Sequence, residues 1–269
     1  MYMKNYELHI LGDVYDAVQF GSGEHLVLIP GLGDGITTVK GKALMGSLMF
    51  RRYGKRYTVT VISRKRVLEP DADTCTMARD QAYAMEALGI QKAHVVGISQ
   101  GGMIAQHLAA DHPELIDKLV LAVTTPTSND RIRLNLRRWV ELARKGAFTG
   151  LMTDIQEKAQ TGKRRKYMRP FYSQMGAAIR NMDVERFAIM AQACGDHDAS
   201  DKLDRITAPT LVIGAAQDQT VEPDGSHMLH RLIGGSALRI FEDQGHAVYE
   251  NEPKFHELIL DFLENGPED

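Results

Sequence analysis

The stretch Val95-Val96-Gly97-Ile98-Ser99-Gln100-Gly101-Gly102 constrains this chain more than any other. An apolar run arrives from Ala93, a serine stands between two glycines, and an alanine-rich pattern of helical spacing leaves toward His107. Strand, tight turn and helix form the context in which G-x-S-x-G becomes an elbow with its serine exposed. Gly97 and Gly101 suit that turn because a Cβ at either position would collide in the bend. Ser99 is then expected to cap the following helix, whose positive end favours an anion beside the hydroxyl.

Other segments read consistently with that centre. His25 to Ile29, Tyr57 to Ile62 and Leu119 to Val123 are apolar runs of the kind buried on both faces of a sheet, and Thr210 to Ile213 and Ala237 to Phe241 read as two further strands. Glu7 to Leu11 and Ala17 to Phe20 predict an opening hairpin around Gly12-Asp13. Helical spacing is expected over Thr38–Tyr53, Met77–Leu88, the elbow helix to Asp111, Gly225–Leu232 and Pro253–Leu263. Alternating strands and helices predict an α/β fold with a mostly parallel, doubly wound sheet. From Ser128 to Arg205 the alternation lapses into helical patterns broken at Gly146, Gly162, Pro170 and Gly195. That stretch reads as a helical cap over the strand ends, where open α/β sheets bind ligands. The expected division is a core of residues 1–127 and 206–269 with a cap of residues 128–205.

A chain of 269 residues suits one domain with an insertion. A net charge of −3 gives no reason to expect nucleic acid as a partner. Cys75 and Cys194 cannot build a disulfide framework and read as free buried thiols. The first twelve residues lack a signal-peptide core, and no apolar stretch approaches a membrane span, so a reducing cytoplasm is the expected compartment.

An elbow serine needs a base, and the base needs an orienting carboxylate, in the chain order serine, acid, histidine. Asp218 lies in the loop after Thr210–Ile213, and His246 in the loop after Ala237–Phe241. Asp224 and Asp243 are rival acids, whereas His107, His112, His227 and His230 sit on or beside helices and read as surface or packing residues. The oxyanion formed by attack on a carbonyl needs backbone donors. Gln100, after the serine, and Leu32, in the glycine-rich loop Pro30–Gly35, are the candidates.

Pro30-Gly31-Leu32-Gly33, Gly97 to Gly102, Gly214 to Asp218 and Gly245-His246 together resemble the α/β-hydrolase superfamily over essentially the whole chain. Its small capped bacterial members are the nearest likeness: esterases, enol-lactonases, carbon–carbon bond hydrolases and cofactor-free haloperoxidase-like enzymes. Two departures stand out. Many relatives carry His-Gly where this chain has Pro30-Gly31, and Asp-x-Arg-Gly-x-Gly where Ser63-Arg64-Lys65-Arg66 stands. A serine at the elbow argues against the dehalogenases and epoxide hydrolases, which have aspartate there. The resemblance implies a serine hydrolase that cleaves a small carboxylic ester by way of an acyl-enzyme, with water and no cofactor. Enol-lactone hydrolysis and carbon–carbon cleavage use the same triad, and a non-catalytic small-molecule receptor is the reading from another class.

The expected cap holds 16 basic and 10 acidic residues, a net of +6 in a chain whose total is −3. Its Trp139, Phe171, Met175 and Phe187 are candidates for a substrate pocket, because large soft side chains line adaptable cavities. An apolar acyl pocket with a modest preference for uncharged or anionic substrates follows. Asp196-His197-Asp198 has metal-capable side chains but no second cluster to complete a site, so it reads as a solvated loop and no metal is expected. Lys163-Arg164-Arg165-Lys166 reads as a solvated face. Neither a Walker loop nor a dinucleotide fingerprint is present.

Overall fold

The computed structural model describes residues 2–266. Its strands are β1 (Met3–Ile10), β2 (Asp13–Gly21), β3 (Glu24–Ile29), β4 (Tyr57–Ile62), β5 (Ala93–Ile98), β6 (Ile116–Ala122), β7 (Thr210–Ala215) and β8 (Ala237–Phe241). They form one sheet in the order β1-β2-β4-β3-β5-β6-β7-β8. The pairs β1–β2 and β2–β4 are antiparallel, and every other pair is parallel. Helices α1 (Ala43–Met49), α2 (Arg51–Gly54), α3 (Thr74–Ala87) and α4 (Gln100–Asp111) are spread among the first six strands. Between β6 and β7 run α5 (Asp130–Arg144), α6 (Phe148–Ala159), α7 (Gly162–Met168), α8 (Tyr172–Ala178) and α9 (Val184–Gly195). The chain closes with α10 (Asp224–Leu232), α11 (Val248–Asn251) and α12 (Pro253–Asn265).

Both faces of the sheet are covered, which is why its central strands are apolar throughout. On β5, Val95 enters the cluster that holds Met77 and Met85 of α3, Ile104 and Leu108 of α4, and Leu229 of α10. The next residue, Val96, points to the opposite face and joins Ala43, Tyr53, Phe255 and Ile259. A third cluster joins Ile132, Leu136 and Trp139 of α5, Leu151 of α6 and Phe187 of α9 to Met103 on the elbow helix. The β6–β7 insertion is thereby seated on α4.

Several elements differ from the sequence expectation. Thr38–Tyr53 is not one helix: Thr38 to Lys42 is irregular, and Phe50, at φ −102° and ψ 28°, separates α1 from α2. Tertiary bonds claim the early backbone, since Val39 N–H donates to Ser63 Oγ (2.9 Å) and Ala43 N–H to Asn5 Oδ1 (3.1 Å). The hairpin strands are longer than expected, because pairing from Met3↔Phe20 to Ile10↔Asp13 is set by the backbone ladder and not by side-chain alternation. Helix α3 begins at Thr74, ahead of the expected start at Met77, because Asp73 and Thr76 cap it reciprocally.

Candidate functional site

The elbow forms where β5 hands over to α4. Ser99 takes φ +56° and ψ −122°, a region that L residues avoid unless the surroundings impose it. Its N–H donates to Ala122 O on β6 (2.9 Å), which anchors the strained residue to the neighbouring strand. A Cβ at Gly97 would stand 2.5 Å from Gly101 O and 2.7 Å from Gly102 Cα; one at Gly101 would stand 2.8 Å from Pro30 O. Only glycine allows this approach of strand, helix and loop. Ser99 holds the cap position of α4, but its side chain makes no capping bond. The hydroxyl is turned to His246 instead, which corrects the expected capping role.

Ser99 Oγ lies 3.0 Å from His246 Nε2, and His246 Nδ1 lies 2.8 Å from Asp218 Oδ2. The other carboxylate oxygen, Asp218 Oδ1, accepts from Thr220 N–H (2.7 Å) and Val221 N–H (3.0 Å). Asp218 and His246 are buried, while the rival acids Asp224 and Asp243 are exposed. An acceptor-only carboxylate requires the proton on Nδ1, which leaves Nε2 free to take the serine proton. Gln100 is the first residue of α4 and Leu32 the first of a short 3-10 helix, Leu32–Gly35. Neither N–H has an acceptor within its own helix. Gly31 brings the loop against the nucleophile, since a Cβ there would stand 3.2 Å from Ser99 Cβ.

Sequence reasoning missed a buried polar network under this loop. Arg64 is completely buried, and burial draws its guanidinium pKa down to about 10. Its Nη2 donates to Pro30 O and to Gln100 Oε1 (3.1 Å), so one guanidinium touches both segments that carry the two N–H groups. Gln100 Nε2 in turn donates to Met190 O on α9 (2.7 Å). Arg186, also on α9, donates to Asp34 Oδ2 (2.8 Å), Asp34 O (2.6 Å), Arg64 O (2.9 Å) and Lys65 O (3.1 Å). Two guanidiniums share the single carboxylate of Asp34, leaving one net positive charge. The signal was the Ser63–Arg66 departure itself, where a charged residue replaced a familiar motif at a strand end.

The other loops are held from the insertion too. Asn135 of α5 donates to Gln219 O (3.1 Å), and Asn129 donates to Val221 O (3.1 Å), bracing the loop of Asp218. Ala247 N–H donates to Ala159 O (3.0 Å), bracing the loop of His246. The expected pocket residues are placed unequally. Phe187 is buried where α9 meets Gly35, and Trp139 is buried with its Nε1 donating to Asp154 Oδ2 (2.8 Å). Met175 is half-buried on α8, and Phe171 is exposed to solvent.

His107 and His197 are buried and stacked edge-on around Thr74 Oγ1, so of Asp196-His197-Asp198 only the two aspartates are solvated, as expected, and the histidine is not. Donor atoms of Cys75, His107 and Asp111 lie within 4.8 Å of one another and could hold a metal ion. Lys202 Nζ, however, stands 2.8 Å from Asp111 Oδ2 and answers that carboxylate as an ammonium. Both cysteines are free thiols; Cys194 is buried as expected, whereas Cys75 is only half-buried. Among the described residues, no helix is long and apolar enough to cross a membrane.

Comparisons with known proteins agree with this architecture. A 2-hydroxy-6-oxononadienedioate/2-hydroxy-6-oxononatrienedioate hydrolase from a Pseudomonas species is 29% identical over 216 residues, 70% of this chain and 71% of that protein. Among solved structures, MGS-M2, an alpha/beta hydrolase enzyme from a Medee basin deep-sea metagenome library, superposes with a TM-score of 0.87 at 19% identity, covering 98% of this chain and 99% of that one. An enol-lactonase from Burkholderia xenovorans superposes with a TM-score of 0.83 at 18% identity, covering 97% and 100%. A family model described as the alpha/beta hydrolase fold matches residues 25–253, and the chain is an enzyme that belongs to this family.

Proposed function

We propose that the protein is a serine hydrolase acting on small carboxylic esters, with Ser99 as nucleophile, His246 as general base and Asp218 as orienting acid. The observation that carries this reading is the continuous chain from Ser99 Oγ through His246 to buried Asp218, at 3.0 and 2.8 Å. Ser99 Oγ attacks the acyl carbon while its proton passes to His246 Nε2, and Asp218 stabilises the imidazolium through Nδ1–H. The N–H groups of Leu32 and Gln100 receive the oxyanion. The imidazolium then protonates the leaving alcohol, and water, activated by the same histidine, releases the acid. Residues 128–205 act as a cap, because Asn129, Asn135, Ala159 and Met190 all contact the loops of the triad and the elbow. The net positive charge of the Asp34–Arg64–Arg186 network supports acceptance of anionic acyl substrates over cationic ones.

A second reaction keeps the same residues: carbon–carbon cleavage of a vinylogous diketone, favoured by the Pseudomonas relative. Turnover of a panel of p-nitrophenyl esters, enol-lactones and dienoic diketones separates the two. Esters are expected to be turned over fastest, and Ser99→Ala to lose about four or more orders of magnitude in kcat while staying folded. Equal turnover by Ser99→Ala and the native protein would remove the serine from the chemistry. Turnover of diketones alone would replace the ester reading with the second.

A further inference from the structure

Helix α1 turns its large apolar side chains outward. Leu44, Leu48 and Met49 are 61%, 67% and 68% exposed, and Met45 is half exposed. At 100° per residue these four positions cover an arc of about 140°. The opposite side of the helix carries the small Ala43, Gly46 and Ser47, and Gly46 sits against Phe20. The ordinary amphipathic arrangement is thus inverted, with small residues inside and large apolar ones in water. Met3 extends the patch, since it pairs with Phe20 across β1–β2 and so shares its sheet face, and it too is half exposed.

Along the sequence, the charge that flanks this helix has one sign, although Glu7 and Asp16 act on Lys40 and Asp34 on Lys42. No acidic residue occurs between Asp34 and Glu69, whereas Lys40, Lys42, Arg51, Arg52, Lys55 and Arg56 flank both ends of α1. Glu257 and Glu264 of α12 engage Arg52 and Arg56. Lys40, Arg51 and Lys55 are exposed, with no ion pair among the described residues, and Lys42 Nζ donates to Thr37 Oγ1 (2.6 Å). Glu250 and Glu252 line a cleft of about 280 Å³ together with Leu48 and Met49.

We propose that the α1 face docks this protein onto an anionic phospholipid surface, on which it lies without spanning it. The four apolar side chains enter the headgroup–acyl boundary, while Lys40, Lys42, Arg51 and Lys55 meet lipid phosphates. A second copy of the chain is the poorer occupant, because a two-fold contact places the same cations opposite one another. Nucleic acid would use the cations but leave the leucines and methionines in water.

Flotation of the full chain with phosphatidylcholine vesicles, with and without about one third phosphatidylglycerol, tests this. Binding is expected with the anionic vesicles only, and to weaken with added salt. Arg51→Ala with Lys55→Ala should lower partitioning about twenty-fivefold, at about fivefold per cation. Leu48→Ser with Met49→Ser should lower it by about tenfold or more. Both pairs should keep native turnover of a soluble short ester and native thermal stability, so that loss of vesicle binding is separate from loss of the fold or of hydrolysis. Absence of flotation, or equal flotation with both vesicle types, would overturn the proposal. So would a lipid-free dimer that Leu48→Ser dissociates, or retention of a DNA duplex without vesicle binding.

Discussion

Arg64 shows what a single residue contributes when it is buried beside the proposed reaction centre. The convergence of Ser99, Asp218 and His246 was legible in the sequence because each follows a strand, in an order that needs no knowledge of packing. Arg64 was not, since in sequence it belongs to a basic run that looks solvated, and only tertiary structure places it under Pro30 and Gln100. Among the described residues its Nε and Nη1 have no hydrogen-bond partner, so its guanidinium is held chiefly by Pro30, Gln100 and the charge of Asp34. Arg64→Met should therefore lower kcat by about 10- to 100-fold with little change in KM, because the N–H groups of Leu32 and Gln100, the proposed oxyanion donors, lose their common anchor. Arg64→Lys should recover part of that loss. Steady-state kinetics on a soluble ester would check both variants, and a change confined to KM would show that Arg64 does not position the oxyanion donors.

At the scale of elements, the strands were read more accurately than the helix starts. An apolar run buried on both faces is bounded by the sheet itself, as with β4, whereas a helix start depends on which side chain satisfies its first N–H groups. Asp73 accepts from Thr76 N–H (2.7 Å) and Thr76 Oγ1 accepts from Asp73 N–H (2.9 Å), a pairing without the Glu or Gln usual in such a box. Asp73→Ala should destabilise the protein by about 1 kcal/mol, measured as a shift in urea midpoint. The elbow helix is constrained far more tightly. Gly97→Ala would drive a Cβ against the backbone of Gly101 and Gly102 and should cost about 3 kcal/mol. Gly33→Ala, with no atom near the added carbon, should be tolerated within about 1 kcal/mol. A Gly97→Ala variant as stable as Gly33→Ala would contradict the packing argument.

On the scale of the whole molecule, the insertion and the sheet are joined by buried polar contacts as well as by apolar ones, and one joint should respond to acid. His197 follows α9, His107 lies on α4, and Thr74 Oγ1 at the start of α3 stands 2.9 Å from His197 Nδ1 and 3.2 Å from His107 Nε2. Burial lowers the pKa of His107 to about 4, helped by the Lys202 ammonium, while Asp111, Asp73 and Asp201 oppose the shift. Burial likewise lowers that of His197 to about 3, with His107 adding to the effect and Asp198 opposing it. In the unfolded chain both imidazoles titrate near about 6.5. Below that pH the unfolded state binds protons that the native state refuses, so stability is complete above about pH 6.5 and is lost as pH falls toward 4. Each histidine should contribute a slope of up to about 1.4 kcal/mol per pH unit in that window. Replacing His107 by Gln and His197 by Asn keeps a polar atom near the position of each bonded nitrogen but removes the titration. Urea denaturation from pH 7 to 4.5 should therefore show a steep loss of stability in the native protein and a flatter one in the double variant. Equal slopes in the two proteins would mean that this joint stays closed as it is acidified, and that other groups govern the acid limb.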